Sequence, residues 1–175
     1  MITELKDNQV FCFGANFSGF HGAGSAGYAF RGTTQNTWRQ DSFFLEALRE
    51  LNKKNSGEKY NKEKLIGKWA VLGKCGAMQG KEGKSYGIVT TEKAGLQGFV
   101  DDAFLMHELV KFTRFALTRP KLQFLVVPIG LKRPHGYSWW SAEQMLELWR
   151  DVFVELGLTT SLKNVKLPDY HQYIE

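Results

Sequence analysis

The sequence predicts an α/β domain of three layers, in which helices cover both faces of a mixed, mostly parallel central sheet. Two observations predict this fold class. Short β-branched and aromatic runs alternate along the chain with longer segments of helical periodicity, an order typical of layered α/β domains. The most apolar run, residues 122–129, is also nearly uninterrupted, as expected where both faces of a strand are covered.

Local patterns predict the elements of the first half. Residues 9–13 form a buried strand, and a glycine-rich loop over 14–27 follows it, ending in small residues that start a helix. A second helix over 41–51 begins at a cap, either Asp41 or Ser42. Two further apolar runs are predicted strands, with a glycine-containing mobile turn over 73–85 between them: residues 69–72 and 86–90.

The second half contains the clearest helix, over 99–119, where apolar residues recur at helical spacing before a proline. Near its start, Asp101 and Asp102 are interpreted as caps rather than as a catalytic pair. A strand over 122–129 and a Gly/Pro loop over 130–137 come next. The tail from residue 158 shows no strong period. Before that tail, the last predicted helix carries a capping box and a terminal glycine: Ser141, Gln144 and Gly157.

Length and composition fit one domain over residues 1–175, with 43% hydrophobic and 23% charged residues. No window of 18 apolar residues and no N-terminal apolar region are present, so we expect a cytoplasmic protein without a membrane partner. Two cysteines exclude a disulfide scaffold and a four-cysteine zinc site. The four histidines show no metal-ligand spacing either, so no metal or cofactor is expected.

The positive charge of the chain is concentrated in residues 53–84, which we interpret as a lysine-rich insertion. Nine lysines and three glutamates give this segment a balance of +6, so the rest of the chain carries −1. Such a segment can bind nucleic acid or another polyanion. The alternative is a solvated surface excursion, since the segment lacks arginine and has little aromatic interleaving.

The two unusual loops, 14–27 and 130–137, each follow a predicted strand. Because ligands in open α/β sheets bind beyond the carboxyl ends of parallel strands, the two loops are expected to meet at one edge of the sheet. Residues 22–27 match G-x-G-x-x-G, but they begin about eight residues after the strand, too late for a nicotinamide-binding Rossmann site. No Gly-Lys-Ser/Thr follows, which excludes a Walker loop.

Two polar side chains of the first loop are candidates for direct contact. Asn16 can hydrogen-bond a ribose hydroxyl, and His21 can contact a phosphate or act as an acid or base. Alternatively, Asn16 stabilises its own loop and His21 is a partly buried structural residue. In the second loop, Gly130 and Gly136 can expose backbone donors, and Tyr137 can stack on a base or pack on a helix.

Three segments together resemble a family of small bacterial and phage proteins. Residues 10–16 (VFCFGAN) and 19–26 (GFHGAGSA) follow the family pattern F-G-S-N-x-x-G-x-H-G-x-G-A-A. Residues 83–91 (GKSYGIVTT) resemble its GQSYAIPT segment, and the PIG at 128–130 and GY at 136–137 match its later motifs. The resemblance covers roughly 9–30, 83–91 and 99–137, and it leaves 31–82 and the tail outside.

That family in turn resembles macro domains, which bind ADP-ribose in a three-layer α/β/α fold. The resemblance implies that Asn16 holds the distal ribose and that a set of loop residues contacts the ligand: Gly14, Gly22, Ala23, Gly24, Ser25, Gly130, Gly136 and Tyr137. It departs from macro hydrolases, because the first loop has His21 and no acid, and Ile129 replaces a Ser or Thr. Binding is therefore better supported than hydrolysis.

The resulting expectation is a macro-like domain that binds ADP-ribose or a related nucleotide, or an ADP-ribosylated macromolecule. It includes hydrolysis of an ADP-ribose derivative or ADP-ribosyl linkage, with His21 and Asn16 as the catalytic candidates. Two alternatives stay open: a non-enzymatic protein that sequesters a nucleotide signal, and a nucleic-acid-binding module that uses the lysines of 53–84.

Overall fold

A computed structural model describes residues 2–92, 100–159 and 162–175. The described chain forms five strands: β1 (Gln9–Asn16), β2 (Gly76–Gln79), β3 (Lys84–Thr91), β4 (Gln123–Val126) and β5 (Val165–Lys166). They make one sheet in the order β2-β3-β1-β4-β5. Strand β1 pairs in parallel with β3 and β4, and β4 pairs in parallel with β5, whereas β2 is antiparallel to β3. The predicted mixed, mostly parallel sheet is confirmed.

Helices cover both faces of this sheet, as predicted. The described helices are α1 (Gly24–Arg31), α2 (Ser42–Asn55), α3 (Asp102–Leu117) and α4 (Ala142–Glu155). Side chains of β1 alternate between two cores, because successive residues of a strand point to opposite faces. Phe11 and Phe13 face α1 and α2, whereas Val10 and Cys12 face α3 and α4. The result is a three-layer arrangement with an apolar core on each side.

The predicted helix caps are confirmed in their hydrogen bonds. The Asp41 carboxylate accepts from the Phe44 N–H at 3.1 Å and starts α2. Asp101 accepts from the Phe104 N–H at 2.8 Å and starts α3. Ser141 and Gln144 form a reciprocal capping box at α4. These caps satisfy N–H groups that have no partner inside the helix, which is why short sequence patterns locate the helix starts. The predicted start of the long helix at Phe99 lies outside the described residues.

The predicted strand over 69–72 is wrong, because burial rather than pairing produces its apolar pattern. Trp69 and Ala70 are completely buried against the α1 layer. The Trp69 N–H donates to the Ala29 carbonyl at 2.7 Å rather than to a strand. The strand of this region is β2, which lies inside the turn predicted over 73–85. It is an edge strand with two exposed residues, Ala77 and Gln79, so it has no strong apolar signature.

Several boundaries also differ from the predictions. Strand β1 continues to Asn16 instead of ending near residue 13, so Gly14 to Asn16 belong to the sheet. Strand β4 ends at Val126. The Val127 N–H still donates to the Cys12 carbonyl at 3.1 Å, and residues 128–129 lie beyond the strand. Helix α2 continues to Asn55, into the segment predicted as a loop. The tail adds β5 and a short 3₁₀ helix, Tyr170–Tyr173, neither of which has a periodic signal.

The lysine-rich segment is integrated into this architecture. It includes the end of α2, a 3₁₀ helix at Lys62–Leu65, strand β2 and the first residue of β3. Leu65 and Leu72 from this segment are buried in the core beneath α1 and α2. Residues 53–84 therefore account for the net positive charge of the chain and also form one edge of its sheet.

Candidate functional site

A large cleft opens beyond the carboxyl ends of β1, β3 and β4. Its volume is about 1610 Å³, larger than the roughly 300–1,000 Å³ typical of small-molecule sites. Both glycine-rich loops line it, so the predicted convergence of the loops at one sheet edge is observed. Apart from His21, every residue predicted to contact the ligand lines this cleft: Gly14, Asn16, Gly22, Ala23, Gly24, Ser25, Gly130, Gly136 and Tyr137.

The first loop leads into α1, whose N-terminus faces the cleft without a side-chain cap. The Gly24 N–H donates to the Thr34 carbonyl at 2.9 Å. The next two N–H groups, of Ser25 and Ala26, have no hydrogen-bond partner within the described ranges. No acidic residue lies in the first turn. Free N–H groups and the positive end of the helix dipole together favour an anion at this position.

Arg31 holds the first loop in place from beneath. Its side chain is 1% exposed, and its Nε donates to the Asp41 carboxylate at 2.9 Å. One terminal nitrogen of the same guanidinium donates to the Gly22 carbonyl at 2.6 Å. This ion pair joins the end of α1, the cap of α2 and the glycine loop. The backbone around Gly22 is thereby fixed before any ligand binds.

Asn16 combines the two roles considered for it. Its side-chain oxygen accepts from the Ser18 hydroxyl at 2.7 Å and from the Phe20 N–H at 3.1 Å, which stabilises the loop. The residue is 7% exposed and still lines the cleft. Its amide nitrogen has no recorded partner in the described part of the chain, so this donor is available to a ligand.

The second loop closes against the first through Tyr137. A Cβ added at Gly24 would lie 3.2 Å from the Tyr137 ring, so the two loops are in contact distance. The Ser138 hydroxyl donates to the Thr90 carbonyl at 2.9 Å and ties this loop to the end of β3. Gly136 passes so close to the Leu131 carbonyl that a Cβ would lie 2.4 Å from its oxygen. Only glycine fits there without moving the backbone.

His21 lies in a structural position and does not line the cleft. Its ring is completely buried, and its Nε2 donates to the carbonyls of Val71 and Lys74, both at 3.0 Å. Burial lowers the pKa of His21 to about 4, so the ring is neutral at pH 7. The imidazole therefore fastens the 71–74 turn to the first loop. This placement matches the structural interpretation of His21 and gives no support to the catalytic one.

The charged side chains lining the cleft are mostly cationic. Three cationic side chains line the cleft, those of Arg39, Arg133 and Lys166, whereas Asp169 supplies the one carboxylate among the described lining residues. Asp169 accepts a hydrogen bond from the His171 N–H at 3.1 Å and so caps the final 3₁₀ helix. The cleft therefore carries excess positive charge, which favours a negatively charged ligand.

Sequence reasoning missed several lining residues. Thr90 and Thr91 lie at the carboxyl end of β3, and the strand-end rule that selected the other loops would also have found them. Trp38 and the segment 166–169 line the cleft as well. Nothing in their local pattern indicates this, because their positions depend on the packing of the chain after β5 and between α1 and α2.

Within residues 2–92, 100–159 and 162–175, no group of three or more His, Cys, Asp or Glu side chains is placed to hold a metal ion. No helix among the described residues is long and apolar enough to cross a membrane. Comparison of the chain with protein-family models, curated proteins and solved structures finds no match.

Proposed function

We propose that this protein binds ADP-ribose or a related nucleotide diphosphate in the cleft between its two glycine-rich loops. One observation carries the proposal: the loops follow the neighbouring parallel strands β1 and β4 and face each other across an uncapped helix N-terminus. This is the position at which open α/β sheets bind ligands. The macro-domain resemblance of the same loops supplies the choice of ADP-ribose.

The diphosphate is assigned to the start of α1. The free N–H groups of Ser25 and Ala26 and the helix dipole favour its negative charge. Arg39 and Arg133 add positive charge elsewhere along the cleft. The amide nitrogen of Asn16 is the donor proposed for a ribose hydroxyl. Tyr137 is the aromatic surface proposed to close over the ligand, because it already lies against Gly24.

The proposed function is the binding of an ADP-ribose-like nucleotide. Hydrolysis of an ADP-ribose derivative or ADP-ribosyl linkage is a second, separate proposal. The burial of His21 supports a non-enzymatic binder that sequesters a nucleotide or an ADP-ribosylated macromolecule. Of the two catalytic candidates, only Asn16 lines the cleft, where its amide nitrogen can orient a ribose or a water. Whether ADP-ribose or an ADP-ribosylated protein is converted is tested by chromatography of the ligand after incubation with the protein.

The binding test is isothermal titration calorimetry with ADP-ribose on the wild-type protein and on Ser25→Asp, with Ser25→Asn as the matched control. Asp and Asn have nearly the same shape, so the two variants differ in charge. An acidic residue in the first turn stabilises a helix, so lost binding cannot come from a weakened α1. At about 5 Å and an effective dielectric constant of 20, the repulsion from a phosphate is about 3 kcal/mol.

Allowing for solvent screening, we expect Ser25→Asp to weaken the affinity for ADP-ribose at least tenfold, which corresponds to about 1.4 kcal/mol of binding free energy. Ser25→Asn should stay within threefold of wild type, because its side chain adds no charge. Equal affinities of the two variants would contradict the assignment of the diphosphate to α1. An absence of binding at millimolar ADP-ribose would contradict the choice of ligand and leave the cleft to another anion.

A further inference from the structure

A second concave surface lies at the opposite end of the sheet and shares no lining residue with the cleft. We call it the basic groove. It has a volume of about 550 Å³ and runs from the amino ends of β1 and β3 along the edge strand β2. No carboxylate is among the described lining residues of the groove. Five of its lining residues are cations: Lys54, Lys62, Lys74, Lys84 and Arg119.

The lack of ion-pair partners for these five cations in the described part of the chain distinguishes the groove from an ordinary solvated surface. Three of the five other lysines of the same segment, Lys53, Lys64 and Lys68, each lie beside a glutamate. None of the five groove cations has an ion-pair partner among the described residues. Five unpaired positive charges around one concavity give it a positive potential that favours the binding of an anion. The arrangement therefore points to a ligand carrying several negative charges.

Aromatic and polar groups lie between these charges. Lys54 lies 5.8 Å from the centre of the Tyr60 ring, and both residues line the groove. The Arg119 guanidinium lies 3.6 Å from the centre of the Phe115 ring and donates to the Phe115 carbonyl at 3.2 Å. A guanidinium held against a ring in this way leaves its outer face for a base to stack on.

Ser85 supplies the group that a solvated surface does not explain. It lines the groove, is 2% exposed, and its hydroxyl has no hydrogen-bond partner in the described structure. An unsatisfied buried hydroxyl costs about 1–3 kcal/mol. Because this hydroxyl lies just beneath the groove surface, a ligand atom forms a hydrogen bond with it, and recovers that cost, only when the side chains above it move. The Gln79 side chain, exposed at the end of β2 opposite Lys84, is a second polar group that lines the groove.

We propose that the basic groove binds single-stranded nucleic acid, with its phosphates on the five cations and its bases on the aromatic and polar groups. A single strand fits better than a duplex, because the surface is a concavity of about 550 Å³, whereas a protein reads a duplex by inserting a helix or ribbon into its groove. The inference is independent of the nucleotide proposed for the cleft. Part of the groove lies outside the lysine-rich segment, since Phe115 belongs to α3 and Arg119 follows the C-terminal end of that helix.

The test measures fluorescence anisotropy of labelled 12-nucleotide single strands, DNA and RNA, from 50 to 300 mM salt. Each phosphate contact contributes about −0.7 to the slope of log affinity against log salt. Five contacts predict a slope of roughly −3.5 for the wild-type protein. A double variant, Lys62→Glu with Lys74→Glu, should weaken binding at least tenfold and reduce the slope by about 1.4.

The matched control is Lys132→Glu with Arg150→Glu, which makes the same change in net charge at exposed sites away from the groove, in the second loop and on α4. Its affinity should stay within threefold of wild type at 150 mM salt, where distant charges are screened beyond about 8 Å. Ser85→Ala removes a buried hydroxyl that has no hydrogen-bond partner in the described structure, so it should weaken nucleic-acid binding while the thermal stability stays at or above that of wild type.

Four outcomes would overturn the proposal. The first is equal losses in the two double variants, since affinity would then follow net charge alone. The second is equal affinity for inorganic polyphosphate of similar length, since the bases would then contribute nothing. The third is tighter binding of a duplex than of either strand. The fourth is no binding at 50 mM salt by protein whose circular dichroism shows it folded.

Discussion

The hydroxyl of Tyr170 links the tail of the chain to the wall of the cleft, and its removal should destabilise the fold. It donates to the Ile129 carbonyl at 3.2 Å and accepts from the Ile129 N–H and the Trp149 indole N–H, both at 3.3 Å. All three residues are 2% exposed or less. Burial raises the pKa of Tyr170 to about 12, so the hydroxyl keeps its proton at neutral pH.

Tyr170→Phe leaves two donors and one acceptor buried without their partner. Each unsatisfied group costs about 1–3 kcal/mol. The three bonds are longer than the usual 2.9–3.0 Å, so the lower end of that range applies. We expect the free energy of unfolding to fall by about 3 kcal/mol, which corresponds to a decrease in Tm of roughly 6–12 °C for a chain of this size.

The assay is urea unfolding followed by tryptophan fluorescence, in which the midpoint should fall while the slope m stays constant. Tyr173→Phe is the control, because Tyr173 belongs to the same 3₁₀ helix and its hydroxyl has no recorded hydrogen bond in the described chain. Its free energy of unfolding should change by less than about 0.5 kcal/mol. A change in Tyr170→Phe as small as that of the control would refute the reasoning.

Two further predictions concern the first loop. The pKa of His21 is lowered from 6.5 to about 4, so its contribution to stability is complete above pH 6.5 and is lost as the pH falls toward 4, by up to about 3 kcal/mol. Chemical denaturation across this range should show that loss in wild type and not in His21→Gln; parallel profiles would contradict it. Gly19 has a φ of +68°, and a Cβ there would lie 2.4 Å from the Lys74 nitrogen, whereas Gly57 has a φ of +75° with open space around it. Gly57→Ala should lower the free energy of unfolding by about 1–2 kcal/mol. Gly19→Ala should lower it by clearly more, because the added Cβ also meets the Lys74 backbone. Equal midpoints of the two variants in urea unfolding would contradict this and show that the contact with Lys74 relaxes freely.

The features predictable from the sequence were those determined locally or by sheet geometry. Asp41, Asp101 and Ser141 cap helices through atoms two or three residues away, so short patterns locate them. The cleft followed from the rule that parallel strands present their carboxyl ends together. Asn16 and Tyr137, more than a hundred residues apart in the chain, were predicted to line one site and do so.

The remaining features depend on packing that no local pattern records. Trp69 is as apolar as a core strand residue, yet its backbone pairs with a helix end. The position of His21 depends on the carbonyls of Val71 and Lys74, some fifty residues later in the chain. The final 3₁₀ helix, Tyr170–Tyr173, is held by contacts with Ile129 and Trp149 rather than by any periodicity of its own. The choice of ADP-ribose as ligand stays a prediction.

The central position of β1 has a consequence during synthesis. This strand is made first, but its two neighbours are residues 84–91 and 123–126. Between Asn16 and Lys84 the ribosome must add 68 residues, which takes roughly 3–14 s at 5–20 residues per second. Throughout that interval the aromatic and aliphatic side chains of residues 10–13 have no neighbouring strand to pair with, and β4 follows later still. The nascent chain is therefore expected to engage a holding chaperone at its N-terminal end, and slowing elongation before β3 should increase aggregation.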